Sequence, residues 1–133
     1  FRIKKGREDE AISLEECRAI KRAVTIPVIN TGGYQNAQVV RDAITSGGCD
    51  GVSIARALVA NNDLVKHWAA GLDEPPNPCT RCNKCLCIAP KYPMGCHEEA
   101  RFENRDAMIE ELMSIYETKP ILQIPPPLKD AAE

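Results

Sequence analysis

Two short apolar runs separated by one helix-length stretch constrain this chain more than any other feature. Pro27-Val28-Ile29, ended by Thr31-Gly32-Gly33, reads as a buried strand leaving into a tightly turning loop. Asp50-Gly51-Val52-Ser53-Ile54-Ala55 reads as a second strand. Between them Asn36 can cap a helix in which Val39, Val40, Ala43 and Ile44 recur, and Gly47-Gly48 stop it. Strand, helix and strand in so few residues form a βαβ unit, whose strands lie parallel with a right-handed crossover. Parallel strands are covered on both faces, so two of them cannot bury a sheet alone. The remaining strands are expected in sequence outside these 133 residues. The chain opens on Phe1 and carries Met only at 94, 108 and 113, which fits a fragment or a processed piece.

Helices are expected on either side of this unit. Ser13-Leu14-Glu15-Glu16 has capping-box spacing and predicts a helix over about 13–24, with Cys17, Ala19, Ile20, Ala23 and Val24 on one face. Asn61 or Asn62 starts another carrying Leu64, Val65 and Trp68. Asn104 caps a last one, whose stripe of Met108, Ile109, Leu112, Met113 and Tyr116 reads as core packing. Nine of ten prolines lie after residue 74, so the chain divides near residue 72. The expected units are βα structure over 1–72, a Cys-rich loop over 73–103, a helix over 104–118 and an extended tail over 119–133 with Pro125-Pro126-Pro127.

Composition narrows the function classes. Seventeen basic against nineteen acidic residues give a net charge of -2, which argues against nucleic acid as a partner. No run of 18 apolar residues exists, and the amino end FRIKKGREDE lacks a secretory stretch. Neither membrane spanning nor export is expected; a cytoplasmic location is.

Cysteine is unevenly spread. Residues 79, 82, 85, 87 and 96 fall within 18 residues, whereas Cys17 and Cys49 stand apart. An odd count without an export signal argues against a disulfide framework and for ligands or redox thiols. Cys79-x2-Cys82-x2-Cys85 with Cys96 offers four thiolates to one centre, a set that suits an iron–sulfur cluster or a structural zinc. A metal-free loop is the third reading. Cys87 is a competing ligand and stands too near Cys85 for the second pair of an ordinary zinc finger.

Gly32-Gly33 follow the first strand and Ala55-Arg56 the second, at the carboxyl edge where parallel α/β proteins bind ligands. Glycine lets backbone N–H groups approach an anion, and a guanidinium can hold phosphate oxygens by two parallel hydrogen bonds. The loops after strands seven and eight of an eight-unit βα barrel are a frequent phosphate site, and this chain matches the last two units. By spacing alone, a plain turn and a surface arginine fit equally well.

The stretch IPVINTGGYQNAQVVRDAITSGGCDGVSIARALVANNDLVKHWAAG, followed by PCTRCNKCL, resembles the carboxyl-terminal part of the old yellow enzyme family of NADH:flavin oxidoreductases. It is most similar to the branch with 2,4-dienoyl-CoA reductase and trimethylamine dehydrogenase. The resemblance runs from about residue 13 to 117 and rests on the combination of PVI-x-TGG, AR-x-L and CxxCNxC. It implies an α/β fold: the C-terminal βα units of a TIM (β/α)8 barrel, then a Cys-rich loop and a terminal helix, with the barrel incomplete. It implies FMN with its phosphate at Gly32, Gly33, Ala55 and Arg56, NAD(P)H as reductant, and an activated alkene or similar small molecule as acceptor. It also implies a [4Fe–4S] cluster on Cys79, Cys82, Cys85 and Cys96, although the gap to Cys96 is slightly shorter than in those relatives. The family's substrate-binding His or His/Asn pair and proton-donating Tyr lie on earlier strands, so no catalytic residue is assigned. His67 is read as helix surface, His97 as a neighbour of Cys96, and Tyr34 as near the phosphate site without a catalytic role.

The leading function is therefore a piece of an FMN-dependent NAD(P)H oxidoreductase, an enzyme only within a complete barrel and partnered by the rest of that barrel or a second copy. The alternatives are a non-catalytic zinc module built on four cysteines and an inactive truncated product. Alone, the chain is expected to aggregate, dimerise or stay partly molten, because a quarter of a barrel leaves strand edges and helix faces uncovered.

Overall fold

The computed structural model describes residues 10–88 and 93–117, the last three by backbone only. The expected tail over 119–133 lies outside the described residues. The elements run α1 Leu14–Ala23, β1 Ile29–Thr31, α2 Ala37–Thr45, β2 Gly51–Ser53, α3 Arg56–Ala60, α4 Leu64–Ala69, α5 Lys84–Ile88, a 3-10 turn at Glu99–Arg101, and α6 Arg105–Glu117. β1 and β2 pair in parallel, with Ile29 opposite Gly51, Asn30 opposite Val52 and Thr31 opposite Ser53. The βαβ unit thus forms as its hydrophobic pattern predicts.

Local signals decide where elements begin. Asn36 caps α2 by accepting from the N–H groups of Gln38 at 2.8 Å and Val39 at 3.3 Å, two of the donors a helix start leaves unpaired. Asn104 does the same for α6, accepting from Ala107 N at 2.9 Å. Ser13 stands at the cap of α1 but makes no side-chain cap bond. Its hydroxyl donates instead to the Thr31 carbonyl at 2.7 Å and fixes the helix start to the end of β1. α4 starts after Asp63 rather than Asn61 or Asn62, and the Asp63 carboxylate faces His67 Nε2 at 3.1 Å. The Cys-rich stretch, expected to be irregular, contains α5 and the 3-10 turn.

The strands depart most from the expected burial. Both have three residues, and in β1 the apolar Ile29 is 57 % exposed while Asn30 is 3 % exposed. Asn30 can be buried because its amide is fully engaged. Its Oδ1 accepts from the Tyr34 hydroxyl at 2.6 Å, and its Nδ2 donates to Ser13 O at 3.0 Å and to Ser13 Oγ at 3.1 Å. The Ile29 side chain leans over Gly51 of β2, on a sheet face that the described residues leave largely open. The stripe on α1 is similarly uncovered: Cys17 is buried, but Ile20 and Val24 are exposed.

The core gathers Cys17, Tyr34, Ala43 and Cys49, with Leu14, Val28, Val39, Val52 and Ile54 packed against them. Cys17 and Cys49, far apart in sequence, therefore share one apolar centre, and burial pushes the Cys49 thiol up. Elsewhere Leu64 of α4 is fully buried. On α6, Met108 and Leu112 are buried whereas Ile109 and Met113 are exposed; the Tyr116 side chain lies outside the described residues. Among the described residues no helix is long and apolar enough to cross a membrane.

Candidate functional site

A cavity of about 90 Å³ opens where the two parallel strands end, with walls from Thr31, Gly33, Tyr34, Ala55 and Arg56. The sequence places anion-binding groups at this edge, and the fold brings three of the four expected residues, Gly33, Ala55 and Arg56, to one cavity. Gly33 turns the chain with φ 75°, a conformation that suits glycine and leaves its peptide groups uncovered by a Cβ. Gly32 does not line the cavity. It is packed against the preceding segment, where a Cβ would come within 3.0 Å of Ile12 N and 3.1 Å of Ala11 Cα, so its role is close backbone approach. Arg56 opens α3, and its Nη1 donates to Asn83 Oδ1 at 2.5 Å.

The cavity's other wall comes from the Cys-rich segment. Cys79 and Arg81 both line it. Arg81 is 5 % exposed; its Nη2 donates to Gly33 O at 2.9 Å and faces Glu10 Oε1 at 3.5 Å. Glu10, in turn, accepts through Oε2 from the backbone N–H groups of Gln35 and Asn36, each at 3.0 Å. The Gln35 Oε1 atom, in the same wall, is buried and has no hydrogen-bond partner among the described residues. A turn free of Cβ, an arginine held at the rim and a space of this size fit a phosphate group and are too small for a whole flavin. Tyr34 is 1 % exposed, and burial pushes its hydroxyl up to about 12. Donating to Asn30, it is a core group.

The thiols form a second locus. Cys79, Cys82, Cys85 and Cys96 are half-buried and Cys87 is exposed. Burial raises the Cys85 thiol, and the charges of the neighbouring Cys79, Cys82 and Cys96 thiols raise it further. The soft donor set matches the chemistry of iron–sulfur or zinc binding. The arrangement does not: among the described residues no group of three or more His, Cys, Asp or Glu is placed to hold a metal ion. Cys82 is engaged by Glu98, whose carboxylate lies below its usual range chiefly through the Lys84 ammonium at 3.0 Å and then through that thiol.

A larger cavity, about 520 Å³, lies between α3, α4 and α6 and shares no residue with the first. His67, expected on the helix surface, lines it, as does Cys96. His97 Nε2 lies 2.9 Å from the Pro93 carbonyl. Glu10, Arg81 and Asn83 were not among the residues expected from sequence, since their partners lie 25 to 71 positions away.

Known proteins match this chain. The family model described as dihydrouridine synthase (Dus) matches residues 2–120. A bilirubin reductase of Mediterraneibacter gnavus (strain CC55_001C) is 37 % identical over 67 residues, 50 % of this chain and 10 % of its own length. A multifunctional alkene reductase/demethylase OYE of Caballeronia cordobensis is 35 % identical over 72 residues, 54 % of this chain and 11 % of its own. The chain thus spans about a tenth of the length of these curated relatives. No solved structure matches it.

Proposed function

The chain belongs to the dihydrouridine synthase (Dus) family of TIM-barrel flavoenzymes, related to the old yellow enzymes, and from that premise we propose that it supplies the phosphate end of an FMN site in an oxidoreductase. The observation that carries this reading is the convergence of Gly33, Ala55 and Arg56 on one small cavity at the carboxyl ends of parallel strands. Gly32 and Gly33 would bring backbone close to the phosphate, and Arg56 would supply its counter-charge. When bound, the flavin supplies hydride transfer between a reductant and an acceptor. This chain's share is to hold and orient the phosphate; the substrate-facing residues are assigned to the rest of the barrel, in the same chain or a second copy.

NAD(P)H is the proposed reductant and a small unsaturated molecule the proposed acceptor, in the cytoplasm. Both curated relatives carry reductase names, and a net charge of -2 does not favour a polyanionic partner. The family's description makes a uridine the competing acceptor class. Turnover of simple activated alkenes against uridine-bearing substrates separates the two. The old yellow enzyme branch with 2,4-dienoyl-CoA reductase is part of the same proposal, supported by the CxxCNxC motif.

A soft-metal centre on Cys79, Cys82, Cys85 and Cys96, [4Fe–4S] first and zinc second, is proposed on the donor set and the spacing of the CxxCNxC motif alone. Iron with acid-labile sulfide in protein purified without oxygen supports the cluster, zinc alone supports the alternative, and neither refutes both. The decisive test of the flavin reading is Arg56→Ala in the full-length protein. FMN retention should fall about ten- to hundredfold, the value of a charge-assisted hydrogen bond, with any metal content unchanged. Undiminished FMN affinity would leave the non-catalytic metal module as the better account.

A further inference from the structure

We propose that Asn83 and Arg81 are positioning residues of the phosphate cavity, so that the Cys79–Cys85 loop forms its fourth wall and sets its affinity; this rests on the flavin-phosphate reading above. The loop reaches the cavity at three points. Cys79 lines it, Arg81 holds the Gly33 carbonyl at 2.9 Å, and Asn83 holds the Arg56 guanidinium at 2.5 Å.

Each contact has a distinct consequence. Arg56 sits on a flexible stem, and a guanidinium fixed before the anion arrives loses less freedom on binding. Asn83 is neutral, so it aims Arg56 without cancelling its charge. Arg81 is different, because Glu10 faces it at 3.5 Å and both side chains are 5 % exposed. That buried pair is neutral overall and adds no net counter-charge for a phosphate. What Arg81 contributes is orientation. In a trans peptide the carbonyl and the following N–H point to opposite sides, so holding Gly33 O fixes the direction of the Tyr34 N–H. Glu10 secures the same turn from below through the N–H groups of Gln35 and Asn36.

The backbone of the loop is consistent with this task. Arg81 at φ 58° and Asn83 at φ 65° both occupy the left-handed region, which non-glycine residues rarely adopt. Contacts that hold these two residues flanking Cys82 include those to Gly33, Glu10 and Arg56 and the Arg81 N–H to Cys79 Sγ at 3.4 Å.

The test separates phosphate recognition from general integrity by comparing FMN with riboflavin, which lacks the phosphate, in the full-length protein. Asn83→Gly keeps a residue at ease with positive φ and removes only the amide. Arg81→Met is made together with Glu10→Gln, so that no buried carboxylate is left unpaired. Each variant should lower FMN affinity about tenfold and leave riboflavin affinity unchanged. Equal losses for both flavins, or no loss, in Asn83→Gly would overturn the inference, and this variant decides even if the double one does not fold. If the unaltered protein binds FMN no more tightly than riboflavin, the phosphate reading itself fails.

Discussion

Tyr34→Phe removes one buried oxygen and should change stability in two separable ways. The hydroxyl, 1 % exposed with its residue, donates to Asn30 Oδ1 at 2.6 Å, and no other hydrogen bond to that acceptor is present among the described residues. Deleting the donor strands a buried carbonyl oxygen, at a cost of about 1–3 kcal/mol near neutral pH. The second effect is alkaline. Burial raises the hydroxyl from 10.0 to about 12, so the folded chain keeps its proton where the unfolded chain has lost it. Below pH 10 both states are neutral at this group and its contribution is whole. As pH rises from 10 towards 12 the unfolded state ionises alone, and stability falls by about 1.4 kcal/mol per pH unit, or about 2–3 kcal/mol over the interval. Urea unfolding of parent and variant across about pH 7 to 12 isolates this contribution, because lysines, arginines and thiols titrate alike in both. The variant should start lower and lose less. Parallel alkaline limbs, or a tyrosinate absorbance already complete near pH 10 in the folded parent, would refute the argument that Tyr34 is a buried, bonded core group.

Three further outcomes follow from packing and charge. A Cβ at Gly95 would overlap Leu112 Cδ2, so Gly95→Ala should destabilise by about 1–3 kcal/mol, and Leu112→Ala introduced with it should cost less than the two changes summed, by thermal melts of all four proteins. The Lys21 ammonium, then the Val28 N–H at 2.8 Å, hold the Asp50 carboxyl below its ordinary value. Its stabilisation is present above the ordinary carboxylate range near about 4 and is lost as pH falls through the lower folded value, so Asp50→Asn should flatten the acid limb of a circular-dichroism titration. Ile20, Ile26 and Ile29 are each more than half exposed. The chain by itself should therefore self-associate, and Ile26→Lys with Ile29→Lys should shift its sedimentation towards the monomer.

What was legible in the sequence was whatever a few neighbouring residues decide. The βαβ order, the Asn36 and Asn104 caps and the glycine turn after β1 each need only local chemistry. The Ser13 cap failed because a tertiary acceptor, the Thr31 carbonyl, took the hydroxyl that a helix start would use. The burial of β1 failed for a related reason. A short apolar run implies cover on both faces, but cover is a property of neighbours, and with one partner strand the buried position is Asn30, whose amide Tyr34 and Ser13 satisfy, rather than Ile29.

The candidate site divides along the same line. Gly33 and Arg56 follow from position, since a residue just past a parallel strand can face little except the carboxyl edge. Arg81 and Asn83 lie between cysteines, and a CxxCNxC motif draws attention to its sulfurs. Yet beside Cys79, which lines the cavity, two of the residues between the cysteines hold its other walls: Arg81 the Gly33 carbonyl 48 positions away and Asn83 the Arg56 guanidinium 27 positions away. Their chemistry states why. An aspartate at 83 would bind Arg56 more tightly and set a negative charge beside a phosphate, whereas asparagine orients the guanidinium and leaves its charge for the anion. Arginine at 81, paired with Glu10, gives a rigid donor without adding net charge. The loop's polar residues thus separate aiming from attraction, so Asn83→Asp should weaken FMN binding more than Asn83→Gly while both leave riboflavin unaffected; the reverse order, read by flavin titration, would sink that division of labour.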